Sequence, residues 1–551
     1  MKLALLGLAA AVGCAVHAAE PELPAGAAAA EQRINRDALA GAIRFLADDL
    51  LEGRAPAARG DRLARAYIRA EMEQLGLRPG GPGDQWEQPF AMVGLTTRAP
   101  KTWPFRAGER TLDLSLWDDF ILASGVQAER ARLDGAELVF VGYGITAPEF
   151  GWDDFKGRDL RGKLLLMLNN DPDESPELFA GKRRLYYGRW DYKYESAAKQ
   201  GAAGAIILHT PESAGYPWAV VQNSWSGEQF ELPDEGGPRL QLTGWVTEQA
   251  GRRLVALGGQ DLDRLVAAAH RRDFQPVDLG VRTSVDVACE LRRVETANVL
   301  GVLPGVAGPL AEQLVVFSAH HDHLGVGPPD ERGDSIYNGA LDNASGVAQL
   351  LAVARAFVAL PAAPSRSVLF LALAAEEQGL LGSEYYARHP TVPAGRIAAD
   401  INFDGGNIWG PTTDIALIGR GKSDLDRLAE AAAARQGRHV TDEAFPDRGF
   451  FYRSDQFNFA KIGVPSLYFD QGAQFTGRPA DWGREQVETW ENRHYHRPSD
   501  EFGPDWNLDG MVDDARLAFI AGLLAATQRE LPAWRPGDEF EAARKRALSA
   551  P

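Results

Sequence analysis

Short apolar runs alternate with amphipathic segments through the second half of the chain. LVVFSAH, SVLFLALA, AADINF, DIALIG and PSLYF have the length and composition of buried strands. ASGVAQLLAVARAFVAL, DLDRLAEAAAAR and residues 509–528 repeat apolar positions at helical spacing. This alternation predicts a mostly parallel sheet with helices on both faces, where ligands bind beyond the carboxyl ends of the strands.

The first half of the chain has a different pattern of apolar residues. INRDALAGAIRFLADDLLEGR and DRLARAYIRAEMEQLGLRP predict two helices, the second ending at Gly76. From about residue 128, the strand-like runs ELVFVGYGI, GKLLLML and GAIILH predict a compact second module. Within it Trp190, Tyr192 and Tyr194 alternate like one face of a strand, and we expect them to pack in a core.

Length, composition and charge narrow the class of protein. A chain of 551 residues with 45% hydrophobic and 24% charged residues is typical of a globular protein with two or three domains. It has 58 basic and 76 acidic residues, a net charge of −18, and no basic stripe. This disfavours nucleic acid and anionic membranes as partners.

The segment MKLALLGLAAAVGCAVHAAEPELP is typical of a secretory signal peptide, with Lys2, a short apolar run and a small-residue cleavage site after Ala18. We expect export to the periplasm or the extracellular space, with no integral membrane segment after cleavage. Lipid anchoring through Cys14 is the less favoured alternative. Cleavage would leave Cys289 as the only cysteine, which excludes an intrachain disulfide.

Residue types that bind metals gather where the predicted strands end. Each has an ordinary explanation when taken singly, such as a helix cap or a solvated face. Together, imidazoles and carboxylates at one sheet edge match the ligands that zinc prefers. Two imidazoles and three carboxylates make five ligands, which exceeds what one tetrahedral zinc with an open position takes and suits two ions sharing a carboxylate bridge. The residues at these strand ends, from which the ligands would come, are His320, Asp322, Asp342, Glu376, Glu377, Asp404, His496 and Asp500.

The segments SAHHDH, GALDNASG, AAEEQGLLGS, NFDGG and YHRPSD resemble, in this order, the motifs of the M28 family of zinc exopeptidases. SDQFNFAKIGVPSLYF, FLADDLLEGR and YIRAEMEQLGL fit the same family, and the middle module resembles a protease-associated (PA) domain. The resemblance implies an α/β fold of the phosphorylase/hydrolase-like type: a mostly parallel mixed sheet flanked by helices, with an inserted β-rich PA domain. The expected divisions are a signal peptide (1–18), a linker (19–34), an N-terminal part of the peptidase domain (35–127), the PA domain (128–278), the M28 peptidase domain (285–530) and a tail (531–551).

The resemblance also implies a set of metal ligands. His320 and Asp404 would hold one zinc ion, and Glu377 and His496 the other. Asp342 would bridge the two. Two zinc ions per chain are expected, although other divalent ions are compatible with these ligands.

Three further residues match catalytic positions of the family. Glu376 matches the general base, which takes a proton from a metal-bridging water. Asp322 matches the carboxylate that orients a ligand imidazole. Tyr495 matches a phenol that helps to stabilise the oxyanion.

Some neighbouring positions have no assigned role in the family pattern. His321 and His323 flank the first motif, and we expect solvent or packing roles for both. His494 is expected at the rim of the site. The Asp342–Asn343 peptide bond is expected to be cis by the same resemblance.

The resulting hypothesis is a secreted or periplasmic di-zinc metallopeptidase that hydrolyses N-terminal residues from peptides. An acidic site suits a free α-ammonium group, and Arg497 is the only arginine within the five ligand motifs. Both observations favour an aminopeptidase over a carboxypeptidase or dipeptidase of the same family. A glutaminyl cyclase-like acyltransferase and an inactive binding homologue are the less favoured alternatives. The oligomeric state is not predicted.

Overall fold

The computed structural model describes residues 23–225 and 227–550. The predicted signal peptide, with Cys14, lies outside these residues. Within them, no helix is long and apolar enough to span a bilayer.

The helices are α1 (Ala27–Glu31), α2 (Arg36–Leu46), α3 (Arg59–Gln74), α4 (Trp190–Lys199), α5 (Pro211–Ala214), α6 (Trp218–Ser224), α7 (Glu248–Leu257), α8 (Leu262–Ala269), α9 (Ser345–Val358), α10 (Leu381–Arg388), α11 (Leu425–Arg435), α12 (Gln456–Lys461), α13 (Trp482–Arg493), α14 (Asp509–Thr527) and α15 (Glu541–Ser549). The strands are β1 (Arg78–Pro79), β2 (Glu87–Arg98), β3 (Thr102–Ala107), β4 (Arg110–Ser115), β5 (Phe120–Ser124), β6 (Arg130–Phe140), β7 (Thr146–Ala147), β8 (Trp152–Asp153), β9 (Leu164–Leu168), β10 (Gly204–His209), β11 (Glu228–Glu231), β12 (Leu242–Thr247), β13 (Val277–Leu303), β14 (Leu314–His320), β15 (Gly325–Val326), β16 (Ile336–Tyr337), β17 (Ser367–Leu373), β18 (Ile397–Phe403), β19 (Asp414–Ile418), β20 (His439–Asp442) and β21 (Ser466–Gln471).

The second half of the chain forms the predicted α/β layer. Strands β17, β14, β18 and β21 are parallel neighbours in this order. The end of β13 adds to β17 and β19 adds to β21, both antiparallel. Helices α9, α11 and α14 pack with one apolar core, and Tyr386 of α10 and Phe459 of α12 pack with another. The prediction of a mostly parallel mixed sheet flanked by helices is confirmed.

Residues 102–288, here called the β-rich module, have hydrophobic clusters of their own. Strands β9, β10 and β12 are parallel, and the long strand β13 pairs with β6 before it continues into the α/β layer. Trp103 and Phe105 belong to the same cluster as Phe140 and Val285. The cluster therefore begins before residue 128, because β3 pairs with β13, a contact between residues far apart in sequence. The match of the module to a PA domain stays a prediction.

One local prediction is wrong. Trp190, Tyr192 and Tyr194 lie at the start of helix α4 and not on a strand. Tyr192 and Tyr194 are buried as expected. Aromatic residues at every second position resemble one face of a strand. They occur in a helix here because this helix is covered on most sides, and even Lys193 between them is fully buried.

The segments predicted to be a linker and a tail are partly ordered against the body of the protein. Ala27 and Ala30 of α1 are buried in the main core. At the other end, Trp534 and Phe540 are buried in a separate cluster. Single apolar anchors of this kind show no periodicity along the chain, so the sequence pattern does not reveal them.

Candidate metal centre and active site

Three of the predicted site segments lie at one edge of the α/β sheet. His320 ends β14, and it is level with Leu373, the last residue of β17. Ala319 pairs with Phe403, the last residue of β18. The glutamate pair and Asp404 follow these strand ends directly, which is the edge where parallel strands present their ligands.

The five predicted metal ligands converge. His320 Nε2 lies 3.3 Å from Asp404 Oδ1 and 3.4 Å from Asp342 Oδ1. His496 Nε2 lies 3.2 Å from Asp342 Oδ2 and 3.2 Å from Glu377 Oε2. The two oxygens of Asp342 are thus divided between the two halves of the set, as a bridging carboxylate requires.

The composition and burial of this cluster fit metal ions. The donor atoms of two groups lie within 4.8 Å of one another: His320 with Glu376 and Asp404, and His323 with Asp342 and Glu377. Buried carboxylates in such numbers require cations nearby. Mixed imidazole and carboxylate donors are the set that zinc prefers. These side chains therefore fit two divalent ions, with zinc favoured.

Asp322 holds the turn that carries the two glutamates. Its Oδ1 accepts a hydrogen bond from the backbone N–H of Glu376 at 3.0 Å, and its Oδ2 accepts one from Glu377 at 3.3 Å. Ala375, just before them, has a φ of 58°, which turns the chain out of the strand direction. The His320 ring is also close, with Nδ1 at 3.7 Å from Asp322 Oδ1, but the shorter contacts are those to the backbone.

The two adjacent glutamates differ in their electrostatic surroundings. Burial raises the pKa of Glu376 well above its usual range, and the nearby charges of Asp404 and Glu377 add to this against the opposing effect of His320. Burial alone would raise the pKa of Glu377, but the charges of His496 and His323 and the hydrogen bond from His323 together lower it. Glu377 is therefore suited to a permanently ionised ligand, and Glu376 to a group that gains and loses a proton.

The histidines beside the first motif are fully buried. His321 Nε2 lies 3.1 Å from Asp61 Oδ1 of helix α3. His323 Nδ1 lies 2.7 Å from Glu377 Oε1, which brings this residue into the cluster itself. The prediction for both is a solvent or packing role, and the structure places His323 closer to the predicted metal ligands than that prediction implies.

Tyr495 lies against His496, one of the predicted ligands. Its ring stacks on His496 with 3.9 Å between ring centroids, and its side chain is 44% exposed. It lines the same cavity as Asp342 and Glu376. His494 instead stacks on Trp490 and contacts Ser499 through Nδ1, in agreement with a place outside the ligand set.

Asp500 holds the loop that carries Asp342, the predicted bridging carboxylate. Its two carboxylate oxygens accept hydrogen bonds from the backbone N–H groups of Leu341 at 2.8 Å and Asp342 at 3.0 Å. The sequence places Asp500 in the constellation, but only the structure reveals this contact.

Arg54 was missed as a contributor to the site. It is fully buried, and its guanidinium donates to the carbonyl of His321 at 2.8 Å, of Asn338 at 2.6 Å, of Gly339 at 2.9 Å and of Leu46 at 2.5 Å. It therefore connects the loops next to His320 and Asp342, two of the predicted ligands. The only sequence signal is its position at the end of FLADDLLEGR.

A cavity of about 1120 Å³ opens above the cluster. Asp342, Glu376 and Asp404 line it from the α/β layer, and Trp190 and Tyr194 line it from the β-rich module. The module therefore forms part of the wall of the space in which a substrate would lie.

The sequence pattern of peptidase family M28 matches residues 298–520. Over these residues, which are less than half of the chain, the protein is similar to peptidase family M28. The matched residues include all five converging ligands and Glu376.

Similar proteins share parts of this chain. A probable zinc metalloprotease of Pyrenophora teres f. teres is 36% identical over 111 residues, 20% of this chain and 23% of that protein. A probable leucine aminopeptidase 2 of Aspergillus oryzae is 26% identical over 351 residues, 61% of this chain and 60% of that protein. The chain thus spans less than two thirds of the length of these relatives. The structure of an aminopeptidase from Aneurinibacillus sp. strain AM-1 is 21% identical with a TM-score of 0.49, covering 92% of this chain and 97% of that one.

Proposed function

We propose that the protein is an exported di-zinc aminopeptidase that removes N-terminal residues from peptides. The observation that carries this proposal is the division of the Asp342 carboxylate between His320 and His496, 3.4 and 3.2 Å away. The name of the Aspergillus oryzae relative, a probable leucine aminopeptidase, supports it. Export rests on the pattern of residues 1–18.

The side chains have distinct roles in this reaction. Two bound zinc ions would lower the pKa of a water molecule and polarise the peptide carbonyl. Glu376 takes the proton of the attacking water and delivers it to the leaving nitrogen. Asp322 keeps Glu376 in place through its backbone N–H. Tyr495, whose ring stacks on His496, would donate a hydrogen bond to the oxygen on which charge develops.

The acidic character of the ligand cluster favours the amino end of a peptide. Asp342, Glu376 and Asp404 all line the cavity, so that a free α-ammonium group finds carboxylates close to the scissile bond. A carboxypeptidase or dipeptidase is the second candidate. It is favoured by one observation, that Arg189 and Arg453 line the same cavity although neither belongs to a ligand motif.

The decisive assay uses an alanine arylamide and its N-acetylated form on zinc-loaded protein. We expect hydrolysis of the free amine form, loss of activity with a chelator, and recovery on adding zinc. Cleavage of the N-acetylated peptide in preference to the free amine would support the second candidate instead. A peptide with N-terminal glutamine tests the cyclase alternative, because cyclisation gives a loss of ammonia that mass spectrometry detects.

A further inference from the structure

The cavity wall carries arginines beside the acidic ligand cluster. Arg453 comes from the α/β layer, while Arg184 and Arg189 come from the β-rich module. Arg453 lines this cavity together with Tyr495, whose ring stacks on His496. The β-rich module and the α/β layer therefore both contribute positive charge to the wall of this cavity, beside the predicted metal ligands.

Arg189 is a nearly buried cation with weak pairing. Its side chain is 15% exposed, and its ion pair with Asp191 is long, at 3.6 Å. Its Nε has no hydrogen-bond partner among the described residues. Burial lowers the pKa of Arg189, and the neighbouring charge of Arg453 lowers it further. A buried guanidinium in this state gains most from an additional carboxylate.

Arg453 is also free to take an anion. Its guanidinium stacks over Phe450 at 5.2 Å from the ring centroid. Within residues 23–225 and 227–550, no carboxylate oxygen lies within 4.0 Å of it. Arg184, by contrast, already donates to the carbonyls of Ser213 and Ala214, at 2.7 and 3.4 Å. Of these three arginines, Arg189 and Arg453 are thus the ones available to an anion.

We propose that Arg189 and Arg453 bind the carboxylate of a short peptide whose N-terminal bond lies at the metal ligands. This inference rests on the proposed function and names its substrate class, short peptides with a free carboxylate. A guanidinium binds a carboxylate through two parallel hydrogen bonds, which fixes the length and direction of the bound chain. The carboxylate is either the C-terminus or an acidic side chain, and the experiment separates the two.

Arg448 provides a matched control. It lines the same cavity, but it is already paired with Glu491 at 3.1 Å and stacked over Phe445 at 4.0 Å from the ring centroid. Arg448→Gln therefore removes one positive charge from the cavity wall without removing an available carboxylate site.

The kinetic arm compares Ala-Ala-Ala with its C-terminal amide, and Ala-Glu-Ala-amide with Ala-Gln-Ala-amide. We expect the KM of the preferred free carboxylate substrate to be about tenfold or more below that of its neutral partner. Arg189→Gln and Arg453→Gln should each remove most of this difference with little change in kcat. Hydrolysis of alanine arylamide, which has no carboxylate, should fall less in both variants than hydrolysis of the preferred free carboxylate peptide. Arg448→Gln should retain the preference.

Calorimetric binding gives a readout that does not need turnover. The same peptides are titrated into zinc-loaded Glu376→Gln protein, alone and combined with Arg189→Gln or Arg453→Gln. The inference is supported if one free carboxylate peptide binds more tightly than its neutral partner and if this difference disappears when either arginine is replaced. This holds even if the wild-type protein cleaves none of the peptides. The absence of cleavage would overturn only the proposed function. Equal affinity for acid and neutral peptides overturns the inference, as does an equal loss of preference in Arg448→Gln.

Discussion

Replacing Arg54 by methionine should weaken zinc binding, although Arg54 is not itself a ligand. The change leaves buried carbonyls without their donor, including those of His321 and Gly339 in the two ligand loops. A buried polar group left unpaired costs about 1–3 kcal/mol. Leaving the two loop carbonyls unpaired is expected to cost roughly 3 kcal/mol. If this penalty is paid when zinc binding orders the loops, the zinc affinity falls about 100-fold, since 1.4 kcal/mol corresponds to about a factor of ten.

Arg366 supplies the control for this prediction. It is also fully buried, and it donates to the carbonyls of Ala525 at 2.7 Å and Gln528 at 2.5 Å, at the end of the sheet away from the ligands. Zinc affinity is measured by competition with a chromogenic chelator, and stability by thermal unfolding of the same samples. Arg54→Met and Arg366→Met should both lower stability, and only Arg54→Met should weaken zinc binding. Unchanged zinc affinity in Arg54→Met, or an equal loss in Arg366→Met, would refute the reasoning.

Three further predictions concern the ligands, the oxyanion and the core. His496→Ala should reduce bound zinc to about one ion per chain by metal analysis, whereas His323→Gln should retain two; the reverse result would exchange their roles. Tyr495→Phe should lower kcat about tenfold or more with zinc content unchanged, and an unaltered kcat would remove it from the mechanism. Phe317→Ala should cost about 3–5 kcal/mol of unfolding free energy, because Phe317 is fully buried against other aromatic rings. Leu50→Ala, at a side chain that is 70% exposed, should stay within about 0.5 kcal/mol in the same denaturant titration.

The sequence was sufficient for features that depend on local pattern and residue type. Strands such as Leu314–His320 and helices such as Ser345–Val358 follow from continuous apolar runs and helical spacing. The ligands are predictable because parallel strands end at one edge, where imidazoles and carboxylates at strand ends must meet. Their order along the chain then matched a known set of motifs.

The features that the sequence could not give depend on contacts between distant segments. Arg54 reaches Gly339 across 285 positions, and nothing local distinguishes it from a surface arginine. Asp322 was expected to orient an imidazole, while its shortest contacts are with the backbone of the glutamate turn. Helix α4 was mistaken for a strand because its burial on most sides hides helical periodicity.

The division of labour between Glu376 and Glu377 tests the account most directly. Both residues are substituted in otherwise unchanged protein, and zinc per chain and arylamide turnover are measured on the same samples. Glu376→Gln should keep two zinc ions and lose most turnover, because it removes the proton carrier and keeps the ligands. Glu377→Ala should lose zinc, because it removes a carboxylate that lies 3.2 Å from His496. Equal zinc loss in both variants, or full turnover in Glu376→Gln, would contradict the account.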